Sequence, residues 1–110
     1  MAVVEVSITP LGTASPSVSS YVAGCVKIVR ESGLNFQLTP MGTIIEGDID
    51  EILRLIRFMH ESPFAAGAVR VSTLIKIDDR RDQPHSMAGK VKSVEDKLAG
   101  NRIKAGADPG

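Results

Sequence analysis

The sequence predicts an α+β domain in which strand, helix, strand, strand, helix and strand follow in that order, with one further helix at the end. Three observations carry this expectation. Short stretches of alternating apolar and polar residues are separated by stretches in which apolar residues recur at helical spacing. A five-residue string occurs twice, as Thr9-Pro10-Leu11-Gly12-Thr13 and Thr39-Pro40-Met41-Gly42-Thr43. The two copies are about one strand–helix–strand unit apart, so they read as the same turn closing two parallel strands at one edge of a sheet. Finally, 110 residues are the length of one domain.

Val3 to Thr9 alternates, with Val4, Val6 and Ile8 on one face and Glu5, Ser7 and Thr9 on the other. Pro10 and Gly12 end this strand, and Thr13 to Ser17 reads as loop. Val18 to Ser32 reads as a helix with Val18, Val22, Val26 and Val29 as its apolar stripe. Ser15 or Ser17 suits its start, with Pro16 in the first turn, and Gly33 suits a left-handed cap at its end.

Leu34 to Pro40 is the second strand and Thr43 to Glu46 the third, joined by a turn at Met41-Gly42. Asp48 with Glu51 three residues on forms a capping box for a second helix. Ile49, Ile52, Leu53, Ile56 and Met59 make its stripe, and Ser62-Pro63 is expected to stop it. Ala68 to Ile77 is the fourth strand and Asp78 to Gln83 a charged turn. Ser86 to Ala99 reads as a third helix with Met87, Val91, Val94 and Leu98 in line and Gly100 as its cap. The domain is thus expected over residues 1–100, with a loose tail over 101–110.

Two right-handed crossovers around a hairpin give a ferredoxin-like βαββαβ sandwich with an additional C-terminal helix. The ends of strands one and two, the starts of strands three and four and both repeated turns then share one edge, with Thr43, Glu46 and Arg70 expected nearby. Two helices cover one sheet face. The other face is mixed in polarity and reads either as a wet surface or as a contact with a partner subunit; self-association is the favoured reading, because the stripe of the last helix needs somewhere to be buried.

Composition narrows the function. Thirteen Lys and Arg balance thirteen Asp and Glu, which leaves no field for nucleic acid or an anionic membrane. Aromatics number one Tyr and three Phe, too few for a base-stacking platform. No apolar run reaches the ~18 residues of a membrane span, and the first ten residues do not read as a signal peptide. Cys25 is the only cysteine, which suits a reducing cytoplasm and offers neither a disulfide nor a metal pair. It reads as a buried small residue. His60 and His85 are far apart in sequence, and neither has a second His or Cys at ligand spacing, which argues against a metal site; His60 is expected at a helix end. The run Lys76 to Asp82 is balanced in charge and reads as a solvated turn or an intersubunit ion network.

The string Pro40-Met41-Gly42-Thr43-Ile44-Ile45-Glu46-Gly47 resembles the signature of one small family. Gly67-Ala68-Val69-Arg70-Val71, Lys76-Ile77-Asp78-Asp79-Arg80-Arg81, Pro10-Leu11-Gly12-Thr13 and Ser32-Gly33 fit the same pattern. The family is that of the thiamine-binding, ferredoxin-like small proteins, and the resemblance spans roughly residues 3–98. It implies binding of thiamine (vitamin B1) or its hydroxymethylpyrimidine half, assembly into dimers and tetramers as a dimer of dimers, and no catalysis, cofactor or metal.

Six residues are candidates for the ligand site. Glu46 has a carboxylate for an exocyclic amine, a protonated ring nitrogen or a thiazolium, or else is an ordinary ion-pair partner. Thr43 and Ser7 offer hydroxyls, or are plain strand residues. Gly12 permits close backbone approach or simply makes a turn. Ser19 sits at a helix start, where a cap is the plain reading. Arg70 suits an anion or a carboxylate across an interface, or pairs with Glu5. Phe36 and Tyr21 are the few plates on which a ring can stack. Other classes remain beside this one. A regulatory or structural oligomeric module of the same fold with another small ligand is the alternative. An acylphosphatase-like enzyme needs a basic loop after the first strand, and Gly12 to Ser20 holds no Arg or Lys.

Overall fold

The computed structural model describes residues 1–12, 19–82 and 87–107. Seven elements follow in order: β1 Ala2–Pro10, α1 Ser19–Ser32, β2 Asn35–Thr39, β3 Gly42–Gly47, α2 Ile49–Ala65, β4 Val71–Asp79 and α3 Met87–Ala107. The four strands form one sheet of order β2-β3-β1-β4. Each neighbouring pair is antiparallel, so β1 and β2 run parallel on either side of β3. This is the ferredoxin-like arrangement. Both Thr-Pro-x-Gly strings therefore do leave the sheet at the same end. The loop expected over Thr13 to Ser17, the caps at Ser15 and Ser17, and Pro16, Val18, His85 and Ser86 lie outside the described residues.

The core lies between the sheet and the pair α1 and α2. Val4 and Val6 of β1 and Ile45 of β3 face Cys25 and Val29 of α1 and Ile52, Leu55, Ile56 and Met59 of α2. Alternation in β1 and β3 and the i, i+3, i+4, i+7 spacing in α2 bring these side chains to one layer. Asp48 caps α2 by accepting from the Glu51 amide at 3.3 Å, as the capping box predicts. Gly33 has a positive φ just after α1, the expected left-handed cap.

Several boundaries and faces differ from expectation. The buried face of α1 is centred on Cys25 and Val29, while Val22 is exposed. In α2, Leu55 is buried and Leu53 is exposed, because 3.6-residue spacing from Ile52 and Ile56 reaches Leu55 and Met59. Pro63 does not stop α2, which continues to Ala65 with Pro63 buried inside it. The Met59 carbonyl, which a residue with an N–H at position 63 would have used, accepts the Cys25 thiol of α1 instead, at 3.4 Å. His60 consequently sits within the helix rather than at its end. Its Nδ1 lies 2.7 Å from the Thr73 hydroxyl, and its ring meets Phe64 edge-on.

The fourth strand begins at Val71 rather than Ala68, because the chain is still leaving α2: the Ala68 amide donates to the Pro63 carbonyl. It ends at Asp79, which takes Asp78 and Asp79 out of the expected turn. Arg80 then pairs with Asp82, and Arg81 with Asp79. The last helix runs past Gly100 to Ala107, where a cap and a loose tail were expected. Its stripe residues Val91, Val94 and Leu98 are exposed. No helix among the described residues is long and apolar enough to cross a membrane.

Candidate functional site

A cavity of about 200 Å³ opens where the two repeated turns leave the sheet. Its floor is the helix-facing side of the sheet, with Val6 and Ile8 of β1, Leu38 of β2 and Thr43 of β3. Val22, Cys25 and Val26 of α1 form the opposite wall, and Met59 of α2 closes the deep end. The Thr39–Gly42 turn and the end of β1 form the mouth. No charged side chain is among these lining residues.

The strands explain why space exists here. β1 pairs with β3 only as far as Val6↔Thr43, yet its pairing with β4 continues to Pro10↔Val71. Ser7 to Pro10 thus form an overhang with one backbone edge open toward the cavity. Gly42 fixes where β3 begins. A Cβ on Gly42 would stand 2.7 Å from the Val6 carbonyl oxygen, so only glycine lets the hairpin approach β1 this closely. Thr39 stabilises the turn by donating its hydroxyl to the Gly42 carbonyl at 2.8 Å and accepting from the Met41 amide. The first turn is tied across to β4, where the Leu11 amide donates to the Arg70 carbonyl at 2.8 Å.

Thr43 is the polar feature of this cavity. The residue is 7% exposed. Its register opposite Val6 and its parity with Ile45 turn its side chain to the helix side. Among the described residues the hydroxyl has no hydrogen-bond partner. A buried hydroxyl without a partner carries a desolvation cost of roughly 1–3 kcal/mol, which a bound polar atom would relieve. The Cys25 thiol is committed to Met59. Burial pushes its pKa up, and the hydrogen bond with Ser62 acts the other way.

The other sequence candidates divide. Ser7 joins Thr43 in lining the cavity, although its parity with Glu5 sets its side chain on the opposite sheet face. Gly12 makes the turn after β1 with φ of +68° and open space around it. Ser19 is exposed at the start of α1 and already has an interaction partner. Arg70 is exposed beside the first turn and does not pair with Glu5, which stands opposite Lys76.

Glu46 departs from its expected place. β3 runs away from the turn, so three residues of strand, roughly 10 Å, separate Glu46 from Thr43. Opposite Val3 and Asn35, it lies on the sheet face that α1 and α2 leave uncovered. There it is 8% exposed and fully engaged: one carboxylate oxygen accepts from the Asn35 side-chain amide and the other from the Met87 amide at 2.7 Å. Met87 is the first residue of α3, so an anion here also suits the helix dipole. Glu46 is the tether of the last helix.

The wall residues Val22, Val26, Leu38, Met41 and Met59 were not among the sequence candidates. One signal pointed to two members of the lining: Ile8 and Leu38 each precede a Thr-Pro-x-Gly string, and both face the cavity. The stacking plates do not contribute. Phe36 packs against the core and Tyr21 is half-buried on α1. Among the described residues no group of three His, Cys, Asp or Glu is placed to hold a metal ion.

The chain and its fold are similar to those of known proteins. The chain is 45% identical over 102 residues to YqgV, a UPF0045 protein of Bacillus subtilis, covering 89% of this chain and 98% of that one. A hypothetical protein of Methanocaldococcus jannaschii, MJ1052, superposes with a TM-score of 0.78 at 37% identity, over 86% of this chain and 95% of the other. A Thermotoga maritima protein, described as a candidate in thiamine biosynthesis or salvage, shares the fold with a TM-score of 0.71 at 16% identity, over 84% and 97% of the two chains. The profile of thiamine-binding proteins matches residues 4–95. This chain, with its paired Thr-Pro-x-Gly turns around an uncharged cavity, belongs to the thiamine-binding protein family.

Proposed function

We propose that this protein binds thiamine or its hydroxymethylpyrimidine half in the cavity between the two turns, as a carrier, buffer or sensor and not as a catalyst. The observation that carries the reading is the Thr43 hydroxyl, buried and without a partner in a cavity that is otherwise apolar. Such a site favours a small flat heterocycle with polar atoms at its rim. The open edge of Ser7 to Pro10 adds backbone groups for those atoms.

Size and charge favour the pyrimidine as the inserted half. The cavity, at about 200 Å³, is smaller than the ~300–1,000 Å³ of most ligand pockets, so it suits one ring rather than two. A thiazolium carries a fixed charge, and burying it among uncharged walls would cost far more than leaving it at the mouth. Met41, 81% exposed, and Leu38, 53% exposed, offer apolar contact there. The walls that grip the ring are aliphatic and thioether. Burial, which raises the thiol pKa, keeps Cys25 protonated, so it serves as a wall residue and a poor nucleophile. We place this activity in the cytoplasm, in a homo-oligomer arranged as a dimer of dimers.

Titration calorimetry on ligand-stripped protein, with thiamine and with hydroxymethylpyrimidine in parallel, tests the proposal. Saturable binding of either, weakened about tenfold in Thr43→Val, is the expected result. Absence of heat and of thermal shift with both ligands on folded protein would overturn it. The second reading, a structural or regulatory module with another ligand, rests on the uncovered stripe of Val91, Val94 and Leu98, and would then stand in its place.

A further inference from the structure

We propose that the groove between α1 and α2 docks a partner protein through an amphipathic helix, apolar on one face and carrying a lysine or arginine near one end. The groove holds about 700 Å³. It shares no lining residue with the ligand cavity, so docking here does not depend on what that cavity holds. The α2 residues that border it recur at three- and four-residue steps from Glu51 to Ala65, a second face of the helix beside the one that packs on the sheet. At about 1.5 Å per residue that face is roughly 20 Å long, enough to hold nearly four turns of a partner helix.

Ile28, Leu34, Leu55, Phe58 and Ala65 give the groove its apolar surface. Phe58 stands midway along it and is 61% exposed, in a chain with three Phe in all. A lone exposed apolar side chain is ordinary, whereas a large aromatic left in water within a contiguous apolar groove marks a contact surface. Both ends are fixed by the fold. Gly24 lets α1 approach α2 at Ser62, where a Cβ would stand 2.8 Å from the hydroxyl. Where α1 finishes, the Ser32 hydroxyl accepts from the Leu34 amide at 3.1 Å and sets Leu34 at the groove's other end. A groove built in advance spares a partner the cost of ordering it.

Charge selects the sign of the partner. Three carboxylates, Glu31, Glu51 and Glu61, line the groove against one guanidinium, Arg54. Glu61 is paired with Arg57, but Glu31 and Glu51 make no ion pair among the described residues. β1 and β3 are antiparallel, so the helices that follow them run in opposite directions. The end of α1, with Glu31, therefore lies beside the start of α2, with Glu51. A cationic side chain at this end of the partner meets both carboxylates while the apolar face covers Phe58. A second copy is the poorer match. Its exposed stripe of Val91, Val94 and Leu98 is flanked by Glu95 as well as Lys97, which brings a carboxylate to an acidic rim.

Fluorescence anisotropy on the full chain tests this, with a labelled helical peptide of Leu, Ala and Lys whose leucines form one stripe. A peptide with Glu in place of Lys is the control. Saturable binding of the Lys peptide, about tenfold tighter than of the Glu peptide, is expected. Phe58→Asp, and separately Glu31→Gln with Glu51→Gln, should each weaken it about tenfold. Asp50→Asn with Glu95→Gln removes the same charge outside the groove and should leave affinity within about twofold. Thermal unfolding checks that Phe58→Asp is folded, and Phe58→Ala takes its place if it is not. Equal affinity for the two peptides, no saturation up to about 1 mM, binding unchanged in the Phe58 variant, or an equal loss in the Asp50 and Glu95 control overturns the docking site. Sedimentation tests the other occupant: if the Phe58 variant loses an assembly that the native chain forms, a second copy fills the groove and the partner helix is overturned.

Discussion

The Cys25 thiol donates to the Met59 carbonyl across the α1–α2 contact, at 3.4 Å. Pro63, four residues after Met59, has no N–H with which to fill that carbonyl. One helix thus supplies the hydrogen bond that a proline removes from its neighbour. Close approach at this point is helped by Gly24, where a Cβ would stand 2.8 Å from the Ser62 hydroxyl.

Cys25→Ala should therefore cost more than the loss of one sulfur atom. It leaves the Met59 carbonyl buried without a donor and opens a small void, together about 1–3 kcal/mol. In Pro63→Ala the backbone N–H of residue 63 can reach the same carbonyl, and the cost of Cys25→Ala should shrink. A double-mutant cycle in urea reads this coupling directly.

The same thiol sets an alkaline limit. Its pKa is raised in the folded protein, chiefly by burial, from an ordinary value of 9.0. Above pH 9 the unfolded chain releases this proton while the folded chain keeps it, so stability present below that pH declines as pH rises toward the folded value. Thermal unfolding from pH 8 upward should show a steeper decline in the native protein than in Cys25→Ala.

Thr43→Val separates binding from folding. The substitution keeps the side-chain shape and removes a hydroxyl that has no partner in the free protein. Stability should hold or rise slightly, while affinity for the pyrimidine ligand drops about tenfold, near 1.4 kcal/mol. Denaturation and calorimetry on one preparation give both numbers.

Glu46→Ala should behave in the opposite way. Loss of the carboxylate strands the Asn35 amide and the first amide of α3, for about 1–3 kcal/mol, and should loosen α3 from the sheet. Ligand affinity should change little, because the residue lies at the far end of β3. Limited proteolysis between β4 and α3, beside a ligand titration, distinguishes a tether from a ligand contact.

Gly42→Ala tests the hairpin. Its Cβ would meet the Val6 carbonyl oxygen at 2.7 Å, and backbone cannot give way as a side-chain tip does. A loss of about 1–3 kcal/mol is expected in chemical denaturation, with ligand affinity reduced as the mouth is displaced.

The fold was legible because its signals are local. Alternation in β1, the capping box at Asp48 and the repeated turns each follow from a few neighbouring residues, and strand order then follows from right-handed crossovers. Pro63 escapes the local rule because its cost is met by a residue 38 positions away, Cys25, which no local rule can see. Glu46 departs from its expected place for a different reason. Its signature neighbours sit at the turn, but each further strand residue moves about 3.3 Å from the turn and changes face. Val22 and Val26 read as core because a cavity wall and a core have the same helical spacing. The Thr43 hydroxyl was legible as a candidate, whereas its lack of a partner is a property of the packed interior alone.

The overhang of β1 beyond its last β3 partner has a dynamic signature. Amides pointing to β4 along Ser7 to Thr9 are held in a ladder, while those pointing the other way face the cavity. Hydrogen exchange along this one strand should therefore alternate, slow beside fast, from residue to residue. A ligand that bonds the open edge would erase the alternation, so a few amide signals would report occupancy without any label.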